Sequence, residues 1–284
     1  MSVNEKRKGL LYVHGAILMF GGTGLFARII QLPATDIIAW RSIMAALVLL
    51  CLLLALQGPI RLRSGKDTLT MLGIGVLLGI HWITYFKSMQ VAGVAVGMLA
   101  LYTSPIITVF LEPLFHGQKP HFSDVVCAFL VFVGVLLLVP AFSLDNDITQ
   151  GVLWGVLSAV FFALRNVMQR HFLQGYRGDT SMLYQGAVAA AVAFPLLQVH
   201  PSIIPAASWW QLALLAIVFT AIPHSLFAGS LRYLKAKSVG LIGCLQPVYG
   251  TLFAFLILHE QPSVLTLVGG ALIVGTAAWE TYRS

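Results

Sequence analysis

Two arginines and one glutamate lie inside long apolar stretches of this sequence. Arg41 follows Trp40, Arg165 lies within Phe161–Asn166, and Glu112 is the only acidic residue well inside an apolar run. A charge at the centre of a bilayer costs roughly 2.5–3.5 kcal/mol on insertion scales, so it usually pairs or faces water. The planar fork of a guanidinium binds carboxylates and phosphates. Anion binding is therefore the first chemistry that the sequence offers.

Each of these charges has more than one interpretation. Arg165, about 9 Å of helical rise from one end of its segment, could clamp an anionic solute, form a fixed ion pair with Glu112, or extend its head group to the interface. Glu112 could be a gate partner of Arg165 or carry a proton, and structural pairing is favoured. Arg41, five residues after Asp36, could contact a solute, but pairing within the protein is favoured.

Aromatic residues with polar tips form a second candidate group. His81 and Tyr85 are four residues apart and Gln246 and Tyr249 three apart, so each pair shares a helix face, and Tyr102 lies at a similar depth. Such side chains suit a cavity for a solute that is partly apolar and partly hydrogen-bonding. The alternative is hydrogen bonding between helices. For the group as a whole we favour lining of a cavity.

The sequence offers no catalytic or cofactor-binding motif. It contains no zinc-binding His-Glu-x-x-His, no paired-cysteine spacing, no Walker loop and no Gly-x-Ser-x-Gly elbow. We predict no cofactor, no metal and no enzyme activity. Histidines titrate near neutral pH, so His14, His81 and His224 are candidates for proton coupling, although a structural role is the commoner one.

The composition defines the elements that must position these residues. Hydrophobic residues make up 58% of the 284 residues and charged residues only 10%, against about 25% charged in soluble domains. Lipid must then be the solvent, and a crossing needs about 20 apolar residues. The sequence predicts an all-α membrane protein with ten transmembrane helices, near residues 9–31, 34–56, 69–90, 92–115, 123–140, 150–171, 180–199, 208–231, 238–258 and 263–281.

The basic residues are distributed unevenly about these ten segments. Of the 17 lysines and arginines, 13 fall on the side that holds both termini. By the positive-inside rule this side is the cytoplasm. The net charge of +7 is thus explained by topology and does not indicate a nucleic-acid partner. We predict a multi-pass protein of the inner (plasma) membrane whose N- and C-termini are cytoplasmic, with lipid as its surroundings.

The chain resembles itself at an offset of 142 residues. Ser88 falls on Ser230, Pro105 on Pro247, and no gap is needed. Residues 1–142 and 143–284 then form two five-helix repeats, and an odd number of crossings inverts the second. Inverted repeats are common in secondary transporters, whose substrate site lies between the repeats. Prolines at equivalent mid-membrane positions, and also Pro223, predict kinked helices that line a cavity.

The order of several short motifs resembles a known family, the EamA-type branch of the drug/metabolite transporter superfamily. These motifs are Ala39-Trp40-Arg41-Ser42, Tyr102-Thr103-Ser104-Pro105, Gln246-Pro247-Val248 and Leu258-His259-Glu260. The family usually ends the fourth span with a glutamate where this chain has Gln118. Any role that the resemblance implies for that carboxylate can therefore be filled only in the second half of the chain, by Glu260.

The resemblance implies a cavity lined by spans 1, 3, 4, 6, 8 and 9 and a small organic metabolite as the solute, often exported. From these features we predict a secondary transporter that works by alternating access. The substrate would bind at Tyr102, Gln246, Tyr249, His81, Tyr85 and Arg165, with Glu112 and Arg41 as a gate or ion pair. A passive channel or facilitator is the alternative. The coupling ion, with the proton as a candidate, and the choice between monomer and homodimer stay open.

Overall fold

The computed structural model describes residues 3–116, 122–139, 142–173, 175–230, 232–234 and 236–283, and it contains helices and no strand over these ranges. The α-helices in these ranges are α1 Val3–Ile29, α2 Ala34–Ala55, α3 Gly65–Ala92, α4 Val94–Leu101, α5 Ser104–His116, α6 Phe122–Leu138, α7 Asp147–Phe172, α8 Gly178–Ala193, α9 Ala206–Ala216, α10 Ile222–Ser230, α11 Ala236–Gly243, α12 Gln246–Leu258 and α13 Val264–Arg283. All-helical architecture is thereby confirmed.

Eight helical stretches in the described ranges are long and apolar enough to cross a membrane. They are Asn4–Ile29, Ala34–Ala55, Gly65–Ala92, Val94–Leu111, Asp147–Phe172, Ala206–Ser230, Ser238–Leu258 and Val264–Tyr282. The helix α6 is apolar but shorter, with 17 residues, and α8 has 16. Large apolar side chains are widely exposed, among them Phe122, Phe129 and Val264. Lipid is the solvent that such a surface requires.

The fourth and ninth predicted segments are broken at equivalent places. Turns at 102–103 and 244–245 separate α4 from α5 and α11 from α12, and these turns are 142 residues apart. Pro105 and Pro247 each occupy the first turn of the helix that follows, where a backbone N–H has no intrahelical acceptor. The kinks predicted from these prolines are therefore complete breaks.

The third and fourth segments meet at one glycine. Gly93 has φ of +90° and is the single residue between α3 and α4. This backbone conformation strongly favours glycine, since a side chain would clash with its own backbone there. The chain therefore reverses direction with almost no loop, as the abutting predicted segments required.

Pro223 disturbs the eighth segment in a different way. A π-helical stretch, Ile217–Ala221, joins α9 to α10 immediately before this proline. Proline has no N–H to donate to the carbonyl four residues back, which is that of Phe219. Thr23 of α1 supplies the missing donor, since its Oγ1 lies 3.2 Å from the Phe219 carbonyl oxygen. A distortion in one half of the chain is thus stabilised by the other half.

We expect Thr23→Val to lower the free energy of unfolding by about 1 kcal/mol, because a carbonyl in an apolar site loses its donor. In a Pro223→Ala background, the restored N–H can satisfy the Phe219 carbonyl, so the same change should cost much less. Unfolding in mixed detergent–SDS micelles would measure both. Thr84→Val is a matched control, because its hydroxyl bonds only within α3. Equal losses in both proline backgrounds would contradict this account.

Helices of the two halves alternate in the packing. α3 packs along α7 and α8, α2 packs along α8, and α6 packs along α13. α1 lies against α10 and α12, and α4 lies against α7 and α12. The largest buried core joins α1, α2 and α3 to α8 and α9. The two halves therefore do not form separate units, and the broken helices meet inside the bundle.

Candidate functional site

A row of polar aromatic and amide side chains crosses the centre of the bundle. The rings of His81 and Tyr85 stack with a centroid distance of 5.8 Å and an interplanar angle of 10°. The Tyr85 hydroxyl lies near the Gln246 side chain without forming a hydrogen bond to it, and the Tyr102 hydroxyl lies 3.4 Å from Gln246 Oε1. The structure thus brings together four residues that the sequence predicted as cavity lining.

His81 also joins α3 to α7. Its Nδ1 lies 2.7 Å from the Ser158 hydroxyl and 3.2 Å from the Ser158 carbonyl oxygen, and the Ser158 hydroxyl donates to the His81 carbonyl oxygen at 3.0 Å. The opposite side of the ring packs near Phe162 at 4.7 Å. One ring nitrogen is therefore engaged in holding two helices, which is the alternative role that the sequence left open.

Tyr102 makes a comparable bond between the halves. Its hydroxyl donates to the carbonyl oxygen of Gly243, the last residue of α11. Pro247, four residues further on, has no N–H for that carbonyl. Tyr102 therefore fixes one broken helix against the other, directly at the break. This role positions Tyr102 at the centre of the bundle, close to Gln246.

Tyr249 lies on another face of α12. It packs with the cluster of Val13, Ile17 and Val239, and its Cβ approaches Gly21 of α1. It is not joined to the row at His81 by a hydrogen bond that the structure records. Tyr249 is the third residue after Gln246, and this places the two on neighbouring but not identical parts of the helix surface.

Arg165 projects from the C-terminal half of α7 and is half-buried. Its Nε donates to Gln185 Oε1 at 2.7 Å and its Nη1 to Asn166 Oδ1 at 2.8 Å. Gln185 is in turn fixed by Gln169 at 3.1 Å and Ser181 at 2.6 Å. Amides thus orient the guanidinium without neutralising it. With five N–H groups, arginine keeps donors for a further acceptor.

Glu112, the predicted partner of Arg165, belongs to α5, but its side chain lies outside the described residues. The ion pair with Arg165 therefore stays a prediction, as does a proton-carrying role for the carboxyl group.

Arg41 lies in the N-terminal half of α2 and is only 2% exposed. Its guanidinium carbon lies 4.2 Å from the ring centroid of Trp82 and 4.9 Å from that of Phe86. Asp36 does not pair with Arg41, because its carboxylate accepts hydrogen bonds from the backbone N–H groups of Gln198 and Val199. Arg41 is thus held by aromatic faces, which favour a cation without cancelling its charge.

The two arginines act on the same central region. Arg41 lies on the ring of Trp82, which also packs against His224, and Arg165 is three residues from Phe162, which packs against His81. The ring of His224 packs edge-on to Phe20 and Trp82, with centroid distances of 4.7 and 6.3 Å. Within the described part of the chain, the ion pairs recorded involve neither Arg41 nor Arg165. The centre of the bundle is therefore electropositive.

Glu260 closes one end of the bundle. Its carboxylate accepts from the backbone N–H of Val94 at 3.0 and 3.2 Å, at the start of α4, and lies 3.7 Å from Arg28 Nε. His259 adopts the left-handed backbone conformation, with φ of +55°. This turns the chain so that the Glu260 N–H donates to the Ala254 carbonyl oxygen at 3.1 Å. The carboxylate thus caps a helix of the other half of the chain, where the positive helix end favours an anion.

Arg28 contributes further to this end of the bundle. Its Nη1 donates to the Gln90 carbonyl oxygen at 2.9 Å, and the Gln90 amide donates to the Leu32 carbonyl oxygen at 2.8 Å. These residues border a depression of about 520 Å³. We call Arg28, Gly93, Val94 and Glu260 the outer latch, after the side of the membrane that the distribution of basic residues predicts for this end.

Short connections fix the opposite end. The Tyr176 hydroxyl donates to Asp67 Oδ2 at 2.6 Å and accepts from the backbone N–H of Arg63 at 2.7 Å. Nearby, Arg177 Nη2 lies 2.6 Å from Asp179 Oδ2, and this hydrogen bond raises the pKa of the Arg177 guanidinium. The Arg177 side chain is 39% exposed, so the pair adds little stability by itself. Tyr176 links these two connections directly.

Sequence reasoning missed the outer latch and the amides around Arg165. The signal for the amides was present, since Ser181 and Gln185 are four apart in an apolar segment, as are Arg165 and Gln169. In the sequence, Arg28 is only a charge near the end of the predicted segment 9–31. Its partner lies more than two hundred residues away, and no spacing within one helix points to it.

The chain matches the EamA-like transporter family at residues 7–139 and again at residues 149–279. It therefore belongs to that family, within the drug/metabolite transporter superfamily, and is a multi-pass membrane transporter of this type. This confirms the resemblance drawn from the short motifs.

Several curated relatives are named as transporters. The chain is 25% identical to an uncharacterized transporter, YxxF, of Bacillus subtilis (strain 168), over 99% of this chain and 93% of the relative. It is 28% identical to the pseudopaline exporter CntI of Pseudomonas aeruginosa, over 86% of this chain and 84% of that protein. It is 23% identical to an S-adenosylmethionine uptake transporter of Rickettsia bellii, over 73% and 70%.

A crystal structure of a protein with 23% sequence identity superposes with a TM-score of 0.67 and covers 97% of this chain and 99% of that one. At this identity the similarity establishes the shared fold only. The helix order described above is thus a fold that also occurs in a solved protein.

Proposed function

We propose that this protein is a secondary carrier that moves a small organic metabolite by alternating access between two inverted repeats. The observation that carries the proposal is the pair of broken helices, α4–α5 and α11–α12, whose breaks meet at Tyr102, Gly243 and Gln246. Discontinuous helices at a repeat interface form the substrate sites of many such carriers. A tightly packed structural bundle has no need of two matched breaks.

The helix pairings support ten crossings in two repeats, 1–142 and 143–284. Exchanging the first five segments with the last five converts the α3–α7 pairing into α10–α1 and the α1–α12 pairing into α7–α4. The α2–α8 and α6–α13 pairings convert into themselves. The two matched family segments also begin 142 residues apart. An odd number of crossings in each repeat then gives the inversion.

The packing of the broken helices favours a cavity open on the inner side. The outer halves α4 and α12 contact each other, whereas α5 and α11, the inner halves, are not packed along each other in the described residues. The outer latch closes the other side. In the proposed orientation both termini are cytoplasmic and the protein lies in the inner membrane, which the distribution of basic residues favours.

The solute site is proposed at Tyr102, Gln246, Tyr249, His81 and Tyr85. Arg165 stands at its inner side as a clamp for an anionic group, since amides hold this guanidinium and leave donors unused. Export is the proposed direction, in keeping with an inward-facing state and with CntI being named an exporter. A relative named as an uptake transporter makes direction a matter for experiment.

We expect Arg165→Ala to reduce the transport rate at least tenfold while folded protein is still obtained. The reason is that loss of one charge-assisted hydrogen bond costs about 1.5–3 kcal/mol. Counterflow in proteoliposomes, loaded with a pooled metabolite mixture and read by mass spectrometry, would identify the solute and measure the loss. Arg170→Ala, an exposed neighbour on the same helix, is the control.

The same measurement separates a carrier from a passive channel. A carrier gives saturable flux that is stimulated by solute on the far side, because the empty form must reorient. A channel gives flux that does not depend on that solute. Unchanged counterflow in Arg165→Ala would contradict the role of Arg165 as a clamp, but it would not contradict the carrier function.

A further inference from the structure

Arg41 is buried without a hydrogen-bond acceptor. Its Nε and Nη1 atoms are inaccessible and have no partner among the described residues. Burying a charged donor without an acceptor is strongly unfavourable, more so in a membrane, where the usual remedy is a paired acid or a functional partner. The nearest acid on its helix, Asp36, is fully engaged by the backbone of residues 198 and 199.

A second unpaired polar group lies beside this guanidinium. The Tyr85 hydroxyl is also buried and makes no hydrogen bond in the described residues, and Tyr85 lies three residues from Trp82 on the same side of α3. Trp82 and Phe86 flank the guanidinium at 4.2 and 4.9 Å. Their ring faces hold the cation, but they offer no lone pair in the plane where its N–H groups point.

Two neighbours with unpaired atoms do not belong to this group. Trp40 Nε1 and the Ser42 hydroxyl are also buried without partners. Successive residues of a helix point about 100° apart, so these two side chains leave α2 in other directions. Trp40 packs against Trp209 with a centroid distance of 4.9 Å. The unpaired groups that lie together are therefore the Arg41 guanidinium and the Tyr85 hydroxyl.

We propose that Arg41 and Tyr85 form a binding site for the anionic group of the transported solute, and that the solute is therefore an organic anion bearing a carboxylate or a phosphate. This inference rests on the proposed function and names its substrate class. An anion supplies what both groups lack, because it accepts hydrogen bonds from the guanidinium and from the hydroxyl and neutralises the buried charge.

The positions of Arg41 and Arg165 extend this proposal to a transport path for the anion. Arg41 is seven residues from the outer end of α2, and Arg165 is seven residues from the inner end of α7. At 1.5 Å per residue, each lies about 10 Å from its own membrane face. His81 packs against Phe162 of α7, and His224 packs against Trp82 beside Arg41. An anion that enters at half-buried Arg165 is passed to Arg41, towards the end of the bundle that holds the outer latch.

The test uses the full chain in lipid nanodiscs and a thermal melt. The probes are a pool of small aliphatic and aromatic carboxylates and phosphate monoesters, and a pool of the matching amides and alcohols. At about a hundredfold excess over the dissociation constant, we expect the anion pool to raise the melting temperature by roughly 5 °C. The neutral pool should raise it by less than about 1 °C, since it binds neither group well.

Variants assign this shift to the site. We expect Arg41→Gln to abolish it and Tyr85→Phe, which removes one hydroxyl and keeps the ring, to reduce it at least threefold. Arg63→Gln, at an exposed connection outside the bundle, should leave it unchanged. Arg41→Lys guards against misfolding, because it keeps the charge and should retain a weakened shift. Equal responses to both pools, or a full shift in Arg41→Gln, would overturn the proposal.

Counterflow distinguishes failure of this inference from failure of the proposed function. If the protein moves only neutral or cationic solutes, the carrier stands and the anion site is wrong. If anions bind at Arg41 but no solute of either pool is exchanged, the site stands and the carrier is wrong. Selective exchange of anions that is lost in Arg41→Gln supports both.

Discussion

Glu260→Gln is expected to shift the protein towards a state that is open on the outer side. The carboxylate caps the start of α4 and lies beside Arg28, so it connects the two repeats at the outer latch. Glutamine keeps the shape but removes the charge that the helix end and the arginine attract. Arg28 is 45% exposed, so its ion pair with Glu260 contributes little to the stability of the closed latch. A loss of about 1–2 kcal/mol would change the ratio of the two states by roughly 5- to 30-fold.

A cysteine reporter would measure this change. Met98→Cys, in a background without the native cysteines, probes a fully buried position on α4. That residue lies against Gly24 of α1 and Gly250 of α12, where the outer halves meet. We expect a membrane-impermeant maleimide, added from outside, to label it several-fold faster in Glu260→Gln than in the parent.

Asp145→Asn is the control for this experiment, because it removes an exposed acid outside the outer latch. Its labelling rate should equal that of the parent. Arg28→Gln should have a smaller effect than Glu260→Gln, since the backbone cap would survive. Unchanged labelling in Glu260→Gln would show that the carboxylate does not hold the outer side closed.

Gly151→Leu is expected to abolish folded protein. A Cβ at this position of α7 would lie 3.1 Å from both the Ala92 nitrogen and the Ser88 carbonyl oxygen, on the backbone of α3. Backbone atoms cannot move aside as a flexible side chain can, so the helices would have to separate. The bond from the Ser88 hydroxyl to the Gly151 carbonyl, 2.6 Å long, would then break as well. A loss of more than about 3 kcal/mol follows from overpacking with a lost hydrogen bond.

Gly73→Leu provides the matched control on α3. A Cβ at Gly73 meets no atom within 4 Å, and both changes replace glycine by the same good helix former. We expect Gly73→Leu to give normal yields of monodisperse protein in detergent chromatography and Gly151→Leu to give aggregate. Equal yields from the two variants would contradict the close helix contact described here.

Hydropathy located the helices well because it depends on local composition. A segment that lipid must surround needs a continuous apolar run, and such runs are visible in one dimension. The repeat was visible for the same reason, since matched prolines and serines recur at one fixed offset. These features determined the helical architecture, the order of the segments and the candidate cluster of His81, Tyr85, Tyr102 and Gln246 before any contact was known.

Tertiary structure decided what each polar side chain bonds to. The sequence placed Arg165 and Arg41 inside apolar runs, but only the packing gave Arg165 its amide partners and left Arg41 with none. The carbonyls freed by Pro223 and Pro247 are predictable from proline chemistry. The donors that satisfy them, Thr23 and Tyr102, come from the other repeat.

The physical reason for this division is the range of the interactions. Helix formation and burial in lipid are set by neighbours within a few turns, so the sequence by itself determined an all-helical, internally repeated membrane transporter of the EamA type. Hydrogen bonds and ion pairs require contact within a few ångström, and Arg28 meets Glu260 across most of the chain. The outer latch, the amides that hold Arg165 and the unpaired guanidinium of Arg41 were therefore decided only when the two halves packed together.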